Sequence, residues 1–175
     1  AGDPRADGVG KGDRGMRIRF HVNSGKPAAK AAAKTLSVVA RKAGLEVVTR
    51  GAGDAVVALG GDGTILRAAH LAIRYDAPVV GINFGHLGFL AETAPEDPAE
   101  LAAMILNGCG ETETRMILEA AVNDGSPCYA INDVVVSRGG YARLISLHVS
   151  VNDEFAGPML ADGLVVATPT GSTGY

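Results

Sequence analysis

The chain is 175 residues long, 47% hydrophobic and 20% charged, a globular composition large enough for one sizeable core or two small ones. Its net charge of −3 excludes a general attraction to nucleic acid or anionic lipid, and no run reaches the ~18 to 20 apolar residues that would cross a bilayer. Cys109 and Cys128, with the dispersed His21, His70, His86 and His148, form neither a disulfide framework nor a metal-ligand spacing. Reduced thiols in a cytoplasmic protein are the expectation.

Residues 1–15 are rich in Gly, Asp, Arg and Lys and lack an apolar stretch. They read as a disordered leader rather than a secretory signal, with a native start at Met16. Met16 to Val22 alternates basic and apolar residues and predicts a strand. Ser24 is an expected helix cap, with Pro27 in the first turn, where a missing N–H does no harm. Ala29, Ala32, Ala33, Leu36, Val39, Ala40 and Ala43 recur at helical spacing, with Lys26, Lys30, Lys34 and Arg41 on the opposite face and Gly44 as the stop. Leu45 to Thr49 predicts a second strand, and Asp54 to Leu59 a buried parallel one. After the break at Gly60 to Gly63, Thr64 to Tyr75 predicts a helix with Ile65, Leu66, Ala69 and Ile73 on its apolar side. Pro78 to Asn83 is another strand, and Pro95 to Asn107 a last helix. This alternation is that of an open parallel α/β sheet of the Rossmann-like kind.

From Thr112 the pattern changes to short strands with turn signals between them. They are Ile117 to Asn123, Tyr129 to Ser137, Leu144 to Val151 and Leu164 to Thr168, and they predict an antiparallel β region. The expected division is therefore a leader at 1–15, an α/β nucleotide-binding domain at 16–109 and a β-rich domain at 110–175.

Four segments carry chemistry. Gly60-Gly61-Asp62-Gly63-Thr64 lies between a buried strand and a helix, where glycines admit a phosphate chain and the helix start offers free N–H groups. It is not a Walker loop, since no Lys-Ser or Lys-Thr follows. Every lysine lies at or before Lys42, so the phosphate site is expected to lean on backbone N–H groups, a metal ion or single arginines. A bare carboxylate in such a cradle repels phosphate. Asp62 therefore shares a magnesium ion with it, accepts a proton from an attacking hydroxyl, or merely caps the helix. Gly81 to Leu90 begins at a strand end, where open α/β sheets bind ligands. Its Phe89 either packs on a ring or fills a tight loop. Asn132-Asp133 interrupts an apolar strand and either meets ribose hydroxyls or sits at a solvated bulge. Asp162 to Tyr175 runs from a strand into a turn lined with hydroxyls, which either binds a ligand or starts a capped helix.

In this order the four segments resemble the NAD kinase family. The family's Gly-Gly-Asp-Gly-Thr motif matches residues 60–64, and its Gly-Ile-Asn-x-Gly-x-Leu-Gly-Phe-Leu loop matches 81–90. Its Asn-Glu motif corresponds to Asn132 and Asp133, and its Asp-Gly strand with the Thr-Pro-Thr-Gly-Ser-Thr-Ala-Tyr turn corresponds to 162–175. The resemblance implies an α/β domain followed by a β-rich one. It also implies transfer of the γ-phosphoryl group of ATP, or of polyphosphate, to the 2′-hydroxyl of the adenosine ribose of NAD, with a divalent cation, Mg²⁺. It makes Asp62 the general base and puts Gly60, Gly61, Gly63 and Thr64 at the phosphates. Asn132, Asp133, Arg143, Asp162, Thr173, Gly174 and Tyr175 fall at NAD, and His86 and Phe89 near the adenine or phosphates. It further implies a homo-oligomer, a dimer or tetramer, while the charge and the short apolar runs noted above lead to the expectation of no nucleic acid or membrane partner.

Three positions depart from the family pattern. Asp133 replaces a glutamate, shortening the reach by ~1.5 Å, one C–C bond. Gly174 replaces an alanine, and Leu160 stands where a polar or basic residue is common. The family continues past the tyrosine, and the Thr-Ser turn is a helix start with no helix after it, so a chain cut before its β-rich domain closes is the expectation. Gly-Gly-Asp-Gly also occurs in lipid and sugar kinases. These, and a non-catalytic nucleotide-binding fragment, are the alternatives.

Overall fold

The computed structural model describes residues 15–83, 90, 98–107, 111–140 and 144–174. The chain forms two units, Ala1–Thr112 and Glu113–Tyr175.

The first unit is built on a four-stranded parallel sheet. Its elements are β1 (Arg17–Val22), α1 (Pro27–Lys42), β2 (Glu46–Val48), β3 (Ala55–Leu59), α2 (Asp62–Tyr75), β4 (Val79–Ile82) and α3 (Pro98–Leu106), with strand order β2-β1-β3-β4. All five residues of β3 are buried, and strand alternation sends them to both faces. Ala55, Val57 and Leu59 join Ile18 of β1, Ala29, Leu36 and Ala40 of α1, and Leu101, Ala102 and Ile105 of α3. Val56 and Ala58 join Ile65, Ala68 and Ala72 of α2. Helices thus cover both sides of the sheet, which is why β3 reads as an unbroken apolar run.

Arg17, Arg19 and His21 alternate with Ile18, Phe20 and Val22 along β1, which gives this inner strand one polar face. The Arg19 guanidinium donates to Gly51 O at 2.6 Å and lies 5.5 Å from the centre of the Tyr75 ring, tying the strand to the end of α2. Burial, then Arg67 and Arg19, holds the His21 imidazole below its ordinary pKa.

The ends of α1 partly differ from expectation. Ser24 does not cap it. The N-cap is Lys26, without a side-chain cap bond, and the Asn23 side chain instead accepts from Gly25 N at 3.0 Å, closing the turn before the helix. At the other end Gly44, at φ 85°, makes the left-handed exit, with Leu45 N bonded to Ala40 O and Gly44 N to Arg41 O. In α2 the buried stripe is Ile65, Ala68 and Ala72, with Leu66, Ala69 and Ile73 only partly covered.

The second unit holds β5 (Leu118–Ala120), β6 (Cys128–Ala130), β7 (Asp133–Ser137), β8 (Ile145–Val151), β9 (Glu154–Ala161), β10 (Gly163–Ala167) and α4 (Pro169–Ser172). Three antiparallel pairs result, β5 with β6, β7 with β10 and β8 with β9. The expected strand from Tyr129 to Ser137 is two strands, broken at Ile131-Asn132. The strand β9 was not among the expected elements, and its sequence contains Gly157-Pro158, a pair that commonly marks a turn. The hairpin absorbs both residues. Asn152 and Asp153, at φ 52° and 66°, form the two-residue turn. Gly157, at φ 97°, lies where the register shifts, and Pro158 pairs with His148. A short helix, α4, does follow the Thr168 turn. Among the described residues no helix is long and apolar enough to cross a membrane.

Leu36 is 2% exposed and Val38, two residues along the same helix, 55%. Leu36→Ala is expected to cost about 2–5 kcal/mol in urea denaturation, and Val38→Ala less than about 0.5 kcal/mol. Equal effects would contradict the packing of α1 described above.

Candidate active site

Three strand ends of the first unit are staggered and bonded to one another. Asn23 N, just past β1, donates to Leu59 O at 2.9 Å, and Gly60 N, just past β3, donates to Ile82 O of β4 at 2.9 Å. The chain leaves β1 toward β2 on one side and β3 toward β4 on the other. Their carboxyl ends are therefore the switch point where such sheets bind ligands.

The turn there is Gly60 to Gly63, and its glycines are not equivalent. A Cβ on Gly60 would collide with the Thr64 hydroxyl and its Cβ, and the Thr64 side chain is 2% exposed. Thr64 thus packs beneath the turn and supports it. A Cβ on Gly61 would meet only ordinary contacts, 3.9 Å from Asn83 Oδ1 and 3.9 Å from Lys26 Nζ, and one on Gly63 would meet nothing within 4 Å. Neither has a positive φ. The fold therefore needs a glycine at Gly60 but not at Gly61 or Gly63. Omitting those side chains leaves open space over the start of α2, which suits close approach of a ligand to the backbone.

Asp62 is not the helix cap. Gly61 holds that position, and Asp62 is the first residue of α2, where its charge suits the helix dipole. Its Oδ1 accepts from Leu90 N at a long 3.4 Å. Lys26 escaped the sequence reading, which put it on the solvated face of α1. It ends the turn after β1 and brings its ammonium to Gly61. The signal was present, because a lysine between a strand end and a first-turn proline belongs to the loop and not to a helix face.

In the second unit the two remaining motifs meet. Ala167 pairs with Asp133 at the end of the β7–β10 ladder. Beyond it Thr168 N donates to Asn132 O at 2.8 Å, and Thr168 Oγ1 donates to Ile131 O at 2.6 Å while accepting from Gly171 N at 3.0 Å. Thr168 is the cap of α4. Gly171 rests on the Asn132 backbone so closely that a Cβ would overlap the Asn132 carbonyl. This contact breaks the expected long strand. Asn132 Oδ1 is buried and has no hydrogen-bond partner among the described residues, which leaves an acceptor available to a ligand donor. Asp133 is half-buried and Asp162, Thr173 and Gly174 are exposed. His86, Phe89, Arg143 and Tyr175 lie outside the described residues.

Two stability measurements check these local readings. Gly60→Ala is expected to destabilise by about 1–3 kcal/mol, and Gly63→Ala to be neutral or to stabilise by up to about 1 kcal/mol. In the second unit Thr168→Val strands a donor and an acceptor and is expected to cost about 1–3 kcal/mol. Thr168→Ser is expected to keep most of that stability.

Residues 13–110 match the ATP-NAD kinase N-terminal domain and residues 131–175 the ATP-NAD kinase C-terminal domain. The chain is 43% identical over 127 residues to an NAD kinase of Gemmatimonas aurantiaca, covering 70% of this chain and 44% of that protein. To an NAD kinase of Burkholderia pseudomallei it is 46% identical over 126 residues, covering 70% and 42%. The chain thus spans less than half the length of these relatives. Among solved structures it is similar to a yeast NADH kinase complexed with NADH, with TM-score 0.74 and 21% identity over 93% of this chain and 60% of that one. It is also similar to an NAD kinase from Archaeoglobus fulgidus in complex with ATP, with TM-score 0.65 and 27% identity over 91% of this chain and 62% of that one. With more than half its residues matched by the N-terminal domain alone and the C-terminal match following in order, the chain belongs to the ATP-NAD kinase family.

Proposed function

We propose that the protein transfers the γ-phosphoryl group of ATP to the 2′-hydroxyl of the adenosine ribose of NAD, giving NADP and ADP. The observation that carries this reading is the position of Asp62. A carboxylate stands on the first residue of α2, between two glycines whose side chains the fold does not need absent. Phosphates lie along the open backbone at Gly61 and Gly63, where the helix start provides N–H donors. As the 2′-oxygen bonds to phosphorus and ADP leaves, the Asp62 carboxylate takes the hydroxyl proton. ATP as donor is supported by the ATP complex of the Archaeoglobus neighbour, and polyphosphate presents the same chemistry.

A magnesium ion fits this site in a limited way. Among the described residues no three His, Cys, Asp or Glu side chains gather to hold a metal. Among the described residues, the side-chain oxygens near the turn include the Asp62 carboxylate, the Asn83 amide and the buried Thr64 hydroxyl. That set suits an ion held mainly by phosphate oxygens and water, which when bound would neutralise phosphate charge.

NAD is assigned to Asn132, Asp133, Asp162, Thr173 and Gly174, with Arg143 and Tyr175, and His86 and Phe89 serve the adenine or phosphates. The buried acceptor on Asn132 supports this, since amide and hydroxyl donors of NAD satisfy it. A dimer or tetramer is proposed for the whole protein. It is in keeping with apolar side chains such as Val135, Val165, Phe155 and Leu160, which the second unit leaves 43–74% exposed.

Incubation with ATP, Mg²⁺ and NAD, with NADP read by enzymatic cycling, is the test. Asp62→Asn is expected to lower turnover by about 10²–10⁴-fold, far more than it lowers NAD affinity, and Gly63→Ala to weaken ATP binding without loss of stability. Folded protein that forms no NADP, or that prefers a lipid or sugar acceptor, would overturn the proposal.

A further inference from the structure

We propose that the Lys26 ammonium is a direct ligand of the phosphoryl donor, holding its phosphate chain against the backbone at Gly61. The inference rests on the phosphoryl-transfer reading above and goes further by naming a cationic group for a loop that has none in its own sequence.

Four observations carry it. The ammonium nitrogen lies 3.9 Å from where a Gly61 Cβ would stand, beside the open backbone rather than across the molecule from it. The root of the lysine is fixed to the root of the glycine turn. Lys26 N donates to Asn23 O at 3.1 Å, and Asn23 N donates to Leu59 O at 2.9 Å, one residue before Gly60. Lys26 is half-buried, whereas Lys30 and Lys34 on the following turns are exposed, so part of its stem is covered beside the site. Finally, the Asp62 carboxylate sits one residue along the turn, and a second anion brought there needs a compensating positive charge. A lysine supplies that as a compact point charge on a flexible stem, which can follow a phosphate through transfer.

Such a contact is blind to the base. It predicts that inorganic tripolyphosphate, which has no adenosine, binds at the same place and depends on the same side chain. Calorimetry on the full chain with tripolyphosphate, ATP and NAD tests this for the wild type, Lys26→Gln and Lys26→Arg. Lys26→Gln is expected to weaken tripolyphosphate and ATP by about 10- to 100-fold, the loss of one charged hydrogen bond. NAD affinity and unfolding temperature stay unchanged, and Lys26→Arg regains most of the loss. On the unmutated protein, tripolyphosphate is expected to protect Lys26 from acetic anhydride in preference to Lys30 and Lys34, read by mass spectrometry, so the result does not hang on a variant folding.

Unchanged tripolyphosphate binding in Lys26→Gln, an equal loss of NAD affinity, or no selective protection would overturn the assignment. If the wild type makes NADP and Lys26→Gln binds donor normally, the lysine proposal alone falls. If Lys26→Gln loses tripolyphosphate in a protein that phosphorylates no NAD, the lysine stands and the NAD kinase reading falls. A wild type that makes NADP but binds no tripolyphosphate removes the lysine proposal alone.

Discussion

Two backbone hydrogen bonds hold the candidate site in register. Asn23 N bonded to Leu59 O and Gly60 N bonded to Ile82 O lock the ends of three parallel strands into a staggered row. Everything chemically notable in the first unit hangs from that row. Lys26 leaves it after β1, the glycine turn and Asp62 after β3, and Asn83 after β4. The row is rigid because β3 is buried on both faces, so its end can move only if both apolar clusters repack. A reaction that needs a carboxylate, a phosphate chain and a hydroxyl placed within a fraction of an ångström is well served by such a base.

Fold and function draw on different glycines in one motif. Gly60 is fixed by its contact with the Thr64 side chain, a packing demand with nothing to do with a ligand. Gly61 and Gly63 face no such demand, and helix propensity argues against a glycine at the second of them. Gly171 in the other unit belongs with Gly60, since its absent side chain lets α4 settle on the Asn132 carbonyl. That contact joins two sequence motifs more than thirty residues apart, with Thr168 bonded to both Ile131 and Asn132.

The α/β half was legible because periodicity decides it. A five-residue apolar run must be a buried strand, and Leu36 and Ala40 recur at the helical spacing that buries one face of α1. The inner side of α2 was read only in part, since Leu66, Ala69 and Ile73, expected inside with Ile65, offer nearly as good a stripe as Ile65, Ala68 and Ala72, which are the buried ones. The seat of Thr64 under Gly60 decides that. The β half was less legible where local signals and long-range contacts disagree. Gly157-Pro158 looks like the end of a strand but is a bulge inside one, tolerated because its hairpin partner continues past it. Val134 to Val136 and Tyr129 look continuous but are parted by the turn that caps α4, a contact made from a remote part of the chain. The motifs themselves stood out, whereas Lys26, a single lysine in an ordinary loop, becomes notable only when the strand ends are seen together.

The central claim is that Asp62 serves as the base toward a ribose hydroxyl across a phosphate held on the glycine turn. Its most direct test is a crystal structure with NAD and a non-hydrolysable ATP analogue. An Asp62 carboxylate oxygen is expected about 2.6–3.2 Å from the 2′-hydroxyl, with the terminal phosphate over Gly61 and Gly63. An Asp62 side chain turned back onto α2 while both nucleotides are bound, or one directed at the 3′-hydroxyl, would contradict it.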